Sequence, residues 1–317
     1  MREIDYGVSY PSARAPVFGR FAIATSHSLA SQAGMAMFLQ GGNAVDAILA
    51  AAMALTVVEP SGNGLGSDAF AIVWDGKQLH GLNSSGRSPA GWTPERFAGR
   101  EEMPHLGWES VTVPGAVAAW AELSRRFGRL NLEQVAAPAI RFARDGFAVT
   151  PTVARIWAQA AVSLSDQPGF AECFLPRGRA PRAGEIFRSE VHARTLEIIA
   201  ASGGEAFYRG ELARVTVADA ARHGAAMTLA DLEAHRAEWV GTLSFPYAGA
   251  MLHEIPPNGQ GISALMALGL LDAVGDSGAG VDDPATIHLA IEAMKLALAD
   301  SAAFVADPAA MLVSTAA

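Results

Sequence analysis

Residues 41–58 read GGNAVDAILAAAMALTVV, and this stretch decides the fold. Its two glycines end a helix predicted over 28–40, because glycine readily adopts the left-handed conformation that closes a helix. Asn43 then caps a second helix predicted over 44–58, with Asp46 near its positive end. This second helix is apolar nearly all round, which places it deep in a core. The stretch therefore predicts a tight pair of helices joined at a Gly-Gly-Asn turn.

A hairpin is predicted after the helix pair. Strands are expected over 70–74 and 78–82, and Asp75-Gly76 is a strong signal for the turn between them. Three glycines within 62–66 require unusual backbone dihedrals or a close approach of the backbone to another group. Their spacing is not that of a dinucleotide-binding fingerprint, and they precede a strand instead of following one. This argues against a Rossmann-type cofactor site.

Helical patterns dominate after residue 110. Pro114 is predicted at the first position of a helix ending near Gly128, and Asn131 with Gln134 caps the next helix. Further helices are predicted over 151–163, 190–201, 211–222, 229–236, 261–274 and 285–304, with a surface loop over 167–184 and strands near 243–245 and 251–255. Four short strands do not make a self-sufficient sheet. The pattern predicts a helix-rich α/β chain whose sheet is completed by another polypeptide.

Composition excludes several classes of function. Half of the 317 residues are hydrophobic and 17% are charged, as in a folded globular protein. A net charge of −9 without a basic stripe argues against nucleic acid as a partner. The only cysteine, Cys173, excludes an internal disulfide and a cysteine-based zinc site. The longest apolar run, 47–58, is shorter than the roughly 20 residues of a membrane span. We therefore expect a soluble, cytoplasmic protein without a membrane partner.

Few residues form a recognisable catalytic or metal-binding pattern. Ser277 lies in a Gly-Asp-Ser-Gly sequence, but a glycine-rich turn explains it better than a nucleophile does. His288 and Glu292 are four residues apart on one helix, yet no third metal ligand is visible, so we predict no metal site. Arg87 lies between Gly86 and Ser88 in a loop. Its guanidinium either binds a carboxylate through two hydrogen bonds or is simply solvated.

Eight sequence blocks, taken together, resemble the gamma-glutamyltranspeptidase family. They keep the family's order from residue 25 to about 308, and the Gly-Gly-Asn-Ala-Val-Asp-Ala block is the most specific. The blocks are 41–47; Glu59-Pro60 with Gly64-Leu65-Gly66 and Phe70; 113–117; 137–139 with 143–147; 207–210; Thr228 with Asp231-Leu232; Pro256-Pro257 with Gly259 and Gly261; and Glu292, Lys295, Ala299-Asp300 and Asp307-Pro308. Agreement of eight blocks in the same order is very improbable by chance.

The resemblance implies an N-terminal-nucleophile (Ntn) hydrolase with stacked αββα layers. Members of that family are made as precursors that cleave themselves and free a threonine at the start of a small subunit. The threonine hydroxyl attacks the gamma-glutamyl amide of glutathione or a related compound, and the acyl group passes to water or to an amino acid. No cofactor is implied.

The resemblance also implies which part of the enzyme this chain represents. The family's nucleophile is expected beyond residue 317, so the chain resembles a large subunit truncated after about 308. We expect one domain over 1–317, with an N-terminal extension over 1–24 and no catalytic residue of its own. The nucleophile-bearing small subunit is the expected partner and completes the sheet.

Arg87 is the one substrate-binding candidate that the resemblance supplies. Aligned on Pro89, the family's carboxylate-binding arginine falls at Ser85, two residues before Arg87. The Gly-Arg-x-Pro arrangement is more similar to the cephalosporin-acylase-like branch. The implied substrates are gamma-glutamyl compounds such as glutathione. The alternatives are an acylase acting on dicarboxylic-acyl or beta-lactam-linked amides, and a truncated remnant without catalysis.

Overall fold

The computed structural model describes residues 18–275, 280 and 282–313, and divides the chain into two compact units. The larger comprises Phe18–Ala69 and Ser84–Ala237 and is called the helical unit here. The other, called the sheet unit, comprises Phe70–Asn83 and the described residues from Glu238 onward. The single-domain interpretation stays a prediction.

The described residues form twelve α-helices and seven short strands, which confirms the helix-rich α/β class. The helices are α1 Ser28–Leu39, α2 Ala44–Val58, α3 Ala116–Phe127, α4 Leu132–Asp145, α5 Pro151–Leu164, α6 Phe170–Phe174, α7 Glu190–Ala201, α8 Glu205–Tyr208, α9 Glu211–Arg222, α10 Leu229–Ala234, α11 Ile262–Val274 and α12 Pro284–Phe304. The strands are β1 Ala69–Trp74, β2 Leu79–Ser84, β3 Phe147–Ala148, β4 Ile186–Phe187, β5 Glu238–Trp239, β6 Leu243–Tyr247 and β7 Ala250–Glu254. No helix in these described stretches is long and apolar enough to cross a bilayer.

Helix α2 is the core of the helical unit, as its apolar sequence predicts. It packs against α1 and α4, and α4 packs in turn against α7. Among its side chains Leu49, Met53 and Val58 are at most 2% exposed, while Ile48 is half exposed. An all-round apolar helix is stable only when neighbours cover nearly every face. The prediction of a buried helix is therefore confirmed.

The turn between α1 and α2 also forms as predicted. Gly41 has φ +85°, and Gly42 N–H donates to the Met37 carbonyl, which closes α1. Asn43 Oδ1 accepts from the Asp46 N–H, and Asp46 Oδ2 accepts from the Asn43 N–H at 2.8 Å. In this reciprocal capping box the side chain of each residue accepts from the backbone N–H of the other, which fixes the start of α2. Asp46 is fully buried and also accepts from Arg129 N–H.

Some local predictions were wrong. The N-cap of α1 is His27, a residue type outside the usual caps, and its Nδ1 accepts from Leu29 N–H at 3.2 Å. Helix α3 begins at Ala116 after Gly115, so Pro114 lies outside it. The predicted loop over 167–184 contains α6, whose Phe174 carbonyl accepts from the buried indole of Trp157.

The sheet unit contains a three-stranded sheet in the order β1-β2-β5, and β6 and β7 form a separate antiparallel hairpin. The predicted turn at Asp75-Gly76 is present: Gly76 has φ +95°, and Asp75 Oδ1 accepts from the Lys77 and Gln78 N–H groups. Helix α11 packs against β6, β7 and α12. Buried hydroxyls of Ser263 and Ser301 join α11 to α12 at 2.6 Å. The predicted strands are therefore present, together with three two-residue strands that were not predicted, β3, β4 and β5.

Candidate active-site loop

Arg87 lies on an exposed loop directly after β2, and main-chain contacts hold that loop in place. Gly86 N–H donates to Asp68 Oδ1 at 3.1 Å. The Arg87 carbonyl accepts from Val113 N–H at 3.0 Å. The backbone on both sides of the Arg87 Cα is thus tied to other segments, while the residue itself is exposed. An exposed arginine on a fixed backbone is suited to binding a planar anion.

Two glycines allow this loop to lie against the segment that precedes α3. A methyl group at Gly86 would overlap the Val113 carbonyl, and one at Gly115 would overlap the Ser84 carbonyl. Both positions therefore require a residue without Cβ, because backbone approaches backbone there. The glycine in the Gly-Arg pair is explained by this packing.

The glycine-rich segment 62–66 forms a turn that delivers Ser67 and Asp68 to the same place. Gly64 N–H donates to Ser67 Oγ at 3.0 Å, and Ser67 N–H donates to the Gly64 carbonyl at 3.1 Å. The Ser67 carbonyl then accepts from the N–H groups of Gly115 and Ala116, at 3.1 and 2.7 Å. Because Gly115 has no capping side chain, this carbonyl satisfies amides at the start of α3.

A buried polar network lies beside the Arg87 loop, and the sequence did not predict it. Ser84 Oγ donates to the Gly115 carbonyl at 2.7 Å and lies 3.2 Å from His235 Nε2. Tyr208 stacks on His235 with ring centroids 5.4 Å apart and donates its hydroxyl to the Pro114 carbonyl at 2.8 Å. Since the Ser84 hydroxyl hydrogen is used on a carbonyl, Ser84 is a structural group and not an activated nucleophile. No short motif signals a pair separated by 151 positions.

Burial changes the acidity of two groups in this network. Partial burial raises the pKa of Asp68, and the hydrogen bond from Gly86 opposes that change. Burial also raises the pKa of Tyr208 far above its usual value, so its hydroxyl stays protonated and donates. The raised pKa of Tyr208 preserves its donated hydrogen bond, whereas burial of Asp68 disfavours the carboxylate form and the bond from Gly86 favours it.

The other candidates from the sequence take no part in this loop. Glu292 forms an ion pair with Lys295 at 2.8 Å. Within the residues that the structure describes, no group of three potential ligands is placed to hold a metal ion. Cys173 is an exposed free thiol. Ser277 and the chain end after residue 313 lie outside the described residues.

Comparisons with known proteins agree with the fold and the blocks. The family model described as gamma-glutamyltranspeptidase matches residues 30–317. The chain is 36% identical over 290 residues to the glutathione hydrolase-like YwrD proenzyme of Bacillus subtilis (strain 168), covering 90% of this chain and 55% of that protein. It is 38% identical over 290 residues to the oxamate amidohydrolase proenzyme of Klebsiella pneumoniae, covering 89% and 54%.

A solved structure shows the same likeness. The cephalosporin acylase from Bacillus halodurans matches with a TM-score of 0.87 at 46% identity, over 97% of this chain and 60% of that chain. The present chain spans about half the length of the curated relatives it matches. The family match extends over most of the sequence and includes the helix pair, the glycine-rich turn and the Arg87 loop. The chain therefore belongs to the gamma-glutamyltranspeptidase family.

Proposed function

We propose that this chain is the large-subunit part of an Ntn-type amide hydrolase or acyltransferase, in which Arg87 binds a carboxylate of the acyl group. The observation that carries the proposal is the Arg87 loop, which has a fixed backbone and an exposed arginine in a member of this family. Its relatives named above are a hydrolase-like, an amidohydrolase and an acylase protein, all names that denote acyl transfer from amides.

The proposed reaction requires a nucleophile from the partner segment. A threonine hydroxyl oxygen attacks the amide carbonyl carbon, and its proton passes through the threonine's own amine to the departing amine as the C–N bond breaks. Water or an amino acid then attacks the resulting ester and releases the acyl group, so that the threonine is regenerated. Arg87 would hold the acyl group during both steps without exchanging a proton.

The first candidate substrates are gamma-glutamyl compounds such as glutathione, as the family and the YwrD-like relative indicate. The alternative is an amide whose acyl group carries a carboxylate in another position. The Gly-Arg-x-Pro arrangement and the likeness to a cephalosporin acylase favour this alternative. Oxamate, from which one relative takes its name, is itself the monoamide of a dicarboxylic acid. A guanidinium serves either substrate through the same two-bonded contact.

Uncovered apolar surface in the sheet unit supports a polypeptide partner. On β1, Phe70, Ile72 and Trp74 share one face and are 40–61% exposed. On α12, Ile287 and Ile291 follow helical spacing and are about half exposed. Large exposed apolar faces are typical of interfaces. The proposed occupant is the nucleophile-bearing small subunit, because the match covers only 55% and 54% of the two relatives, which are proenzymes.

The test of the site is Arg87→Lys in the enzyme assembled with its nucleophile-bearing segment. Lysine keeps the positive charge but cannot make the two parallel hydrogen bonds of a guanidinium. KM should therefore rise about tenfold to hundredfold for a carboxylate substrate. The turnover number should fall less, because the contact is made equally in ground and transition states. Arg125→Lys is the matched control, since Arg125 is exposed and pairs with Glu122 in its own helix.

A substrate analogue identifies the group that Arg87 contacts. The same kinetics are measured with the carboxylate of the substrate replaced by a carboxamide. Wild type should discriminate strongly between the two compounds, and Arg87→Lys weakly. Equal discrimination by both enzymes would show that Arg87 is not the carboxylate site.

The dependence on a partner is tested with the purified 317-residue chain. We expect no turnover of gamma-glutamyl anilides by this chain alone, and we expect the active preparation to contain a second polypeptide. Turnover by the lone chain that disappears in Ser277→Ala would overturn the large-subunit proposal. A stable lone chain that remains inactive when combined with a nucleophile-bearing segment would favour the non-catalytic alternative.

A further inference from the structure

The β1–β2 hairpin brings two residues together at its open end. Asp68 immediately precedes β1, and Gly86 follows β2 by two residues. Consecutive strands joined by a tight turn run antiparallel, so the start of one lies beside the end of the other. The result is the hydrogen bond from Gly86 N–H to the Asp68 carboxylate, across 18 positions of sequence.

This bond is one side-chain restraint on the backbone beside Arg87. On the other side, the Arg87 carbonyl is held by Val113 N–H, a main-chain contact that any residue could provide. Gly86 itself has little conformational preference and contributes no side chain to fix the loop. Asp68 therefore supplies a side-chain restraint at the glycine that precedes the arginine, a residue type with wide backbone freedom. A carboxylate accepting from a backbone N–H is stronger than a neutral pair of the same geometry.

We propose that Asp68 is a positioning residue, which fixes the direction of the Arg87 guanidinium by holding the Gly86 N–H. The proposal rests on the proposed function, since it assumes that Arg87 binds the acyl carboxylate. An arginine fork gains two parallel hydrogen bonds only when its plane meets the carboxylate in one orientation. A loop that rotates at Gly86 would keep the charge of Arg87 but lose that orientation.

The test compares Asp68→Ala with Asp68→Asn in the assembled enzyme. Alanine removes the acceptor, whereas the asparagine side-chain oxygen still accepts from Gly86 N–H. Asp68→Ala should raise KM about threefold to thirtyfold for the carboxylate substrate and leave KM for the carboxamide analogue unchanged. Asp68→Asn should stay within about threefold of wild type. Asn131→Ala is the matched control, because it removes a side-chain bond to a backbone N–H at the start of α4.

A second measurement follows the hydrogen bond itself. Amide exchange at Gly86 should be at least about tenfold faster in Asp68→Ala than in wild type or Asp68→Asn. Asn131→Ala should leave exchange at Gly86 unchanged. Unchanged exchange at Gly86 in Asp68→Ala would overturn the proposed hold, whether or not the enzyme is active.

The kinetic outcomes distinguish the positioning role of Asp68 from the proposed carboxylate site at Arg87. If Arg87→Lys weakens discrimination but Asp68→Ala does not, the positioning role is wrong and the carboxylate site stands. If Asp68→Asn raises KM as much as Asp68→Ala, the charge of Asp68 acts on the substrate directly and the positioning role is again wrong. If Arg87→Lys leaves discrimination intact, the proposed site fails, and the positioning role fails with it.

Discussion

At the scale of single residues, His192 links stability to pH. Its Nε2 lies 3.1 Å from Thr56 Oγ1, whose hydrogen is donated to the Met53 carbonyl, and burial lowers the pKa of His192 to about 4. The unfolded pKa is near 6.5, so the unfolded state binds the proton more tightly. The neutral ring therefore stabilises the fold above pH 6.5, and this stability is lost as the pH falls toward 4.

We expect the free energy of unfolding to drop by roughly 3 kcal/mol over that interval because of His192. His192→Gln cannot take up the proton and should lose this part of the pH dependence. Denaturant titrations at several pH values measure the effect, and His105→Gln at an exposed position is the control. Parallel curves for wild type and His192→Gln would contradict the assignment.

Gly86 gives a second prediction at the scale of residues. A Cβ there overlaps the Val113 carbonyl, so Gly86→Ala must displace the backbone and should cost about 1–3 kcal/mol or more. Gly66→Ala is the matched control, because nothing lies within 4 Å of a Cβ at that position. Thermal unfolding of both variants measures the difference. Equal melting temperatures would show that the two segments do not approach as described.

At the scale of elements, the capping residue Asp46 connects the start of α2 to the turn that follows α3. Asp46 accepts from Asn43 N–H and from the Arg129 and Leu130 N–H groups in the turn after α3. Asp46→Ala removes the buried carboxylate that accepts from these three part-buried N–H groups and should cost about 3–5 kcal/mol. Gln134→Ala, in the exposed capping box of α4, should cost about 1 kcal/mol. Denaturant unfolding compares the two, and similar losses would contradict a joining role for Asp46.

At the scale of the whole molecule, exposed apolar residues lie on one face of β1 and along α12. Phe70, Ile72 and Trp74 alternate with other residues on β1, and Ile287, Ile291 and Leu298 follow one side of α12. The lone chain should self-associate or bind a hydrophobic dye, and the proposed small subunit should abolish both effects. Light scattering and dye fluorescence measure them. A monodisperse monomer without dye binding would contradict an uncovered interface.

The local features could be read from the sequence because their partners lie within a few positions. Asn43 and Asp46 are three residues apart, and the Asp75-Gly76 turn joins neighbouring strands. Their geometry follows from backbone dihedrals and from hydrogen bonds between residues close in sequence, which form in any surroundings. The apolar sequence of α2 likewise determined its burial, since a helix that is apolar on nearly every side is not stable when it is exposed to water. The family blocks added the expected class of reaction.

Only the tertiary structure decided what supports Arg87. Asp68 and Gly86 meet because the hairpin closes, and Ser84 meets His235 across 151 positions because α10 ends beside the loop. No sequence spacing encodes such contacts, since they depend on where separate elements pack. The sequence by itself determined the helices, the turns and the candidate arginine, whereas long-range packing decided how that arginine is held.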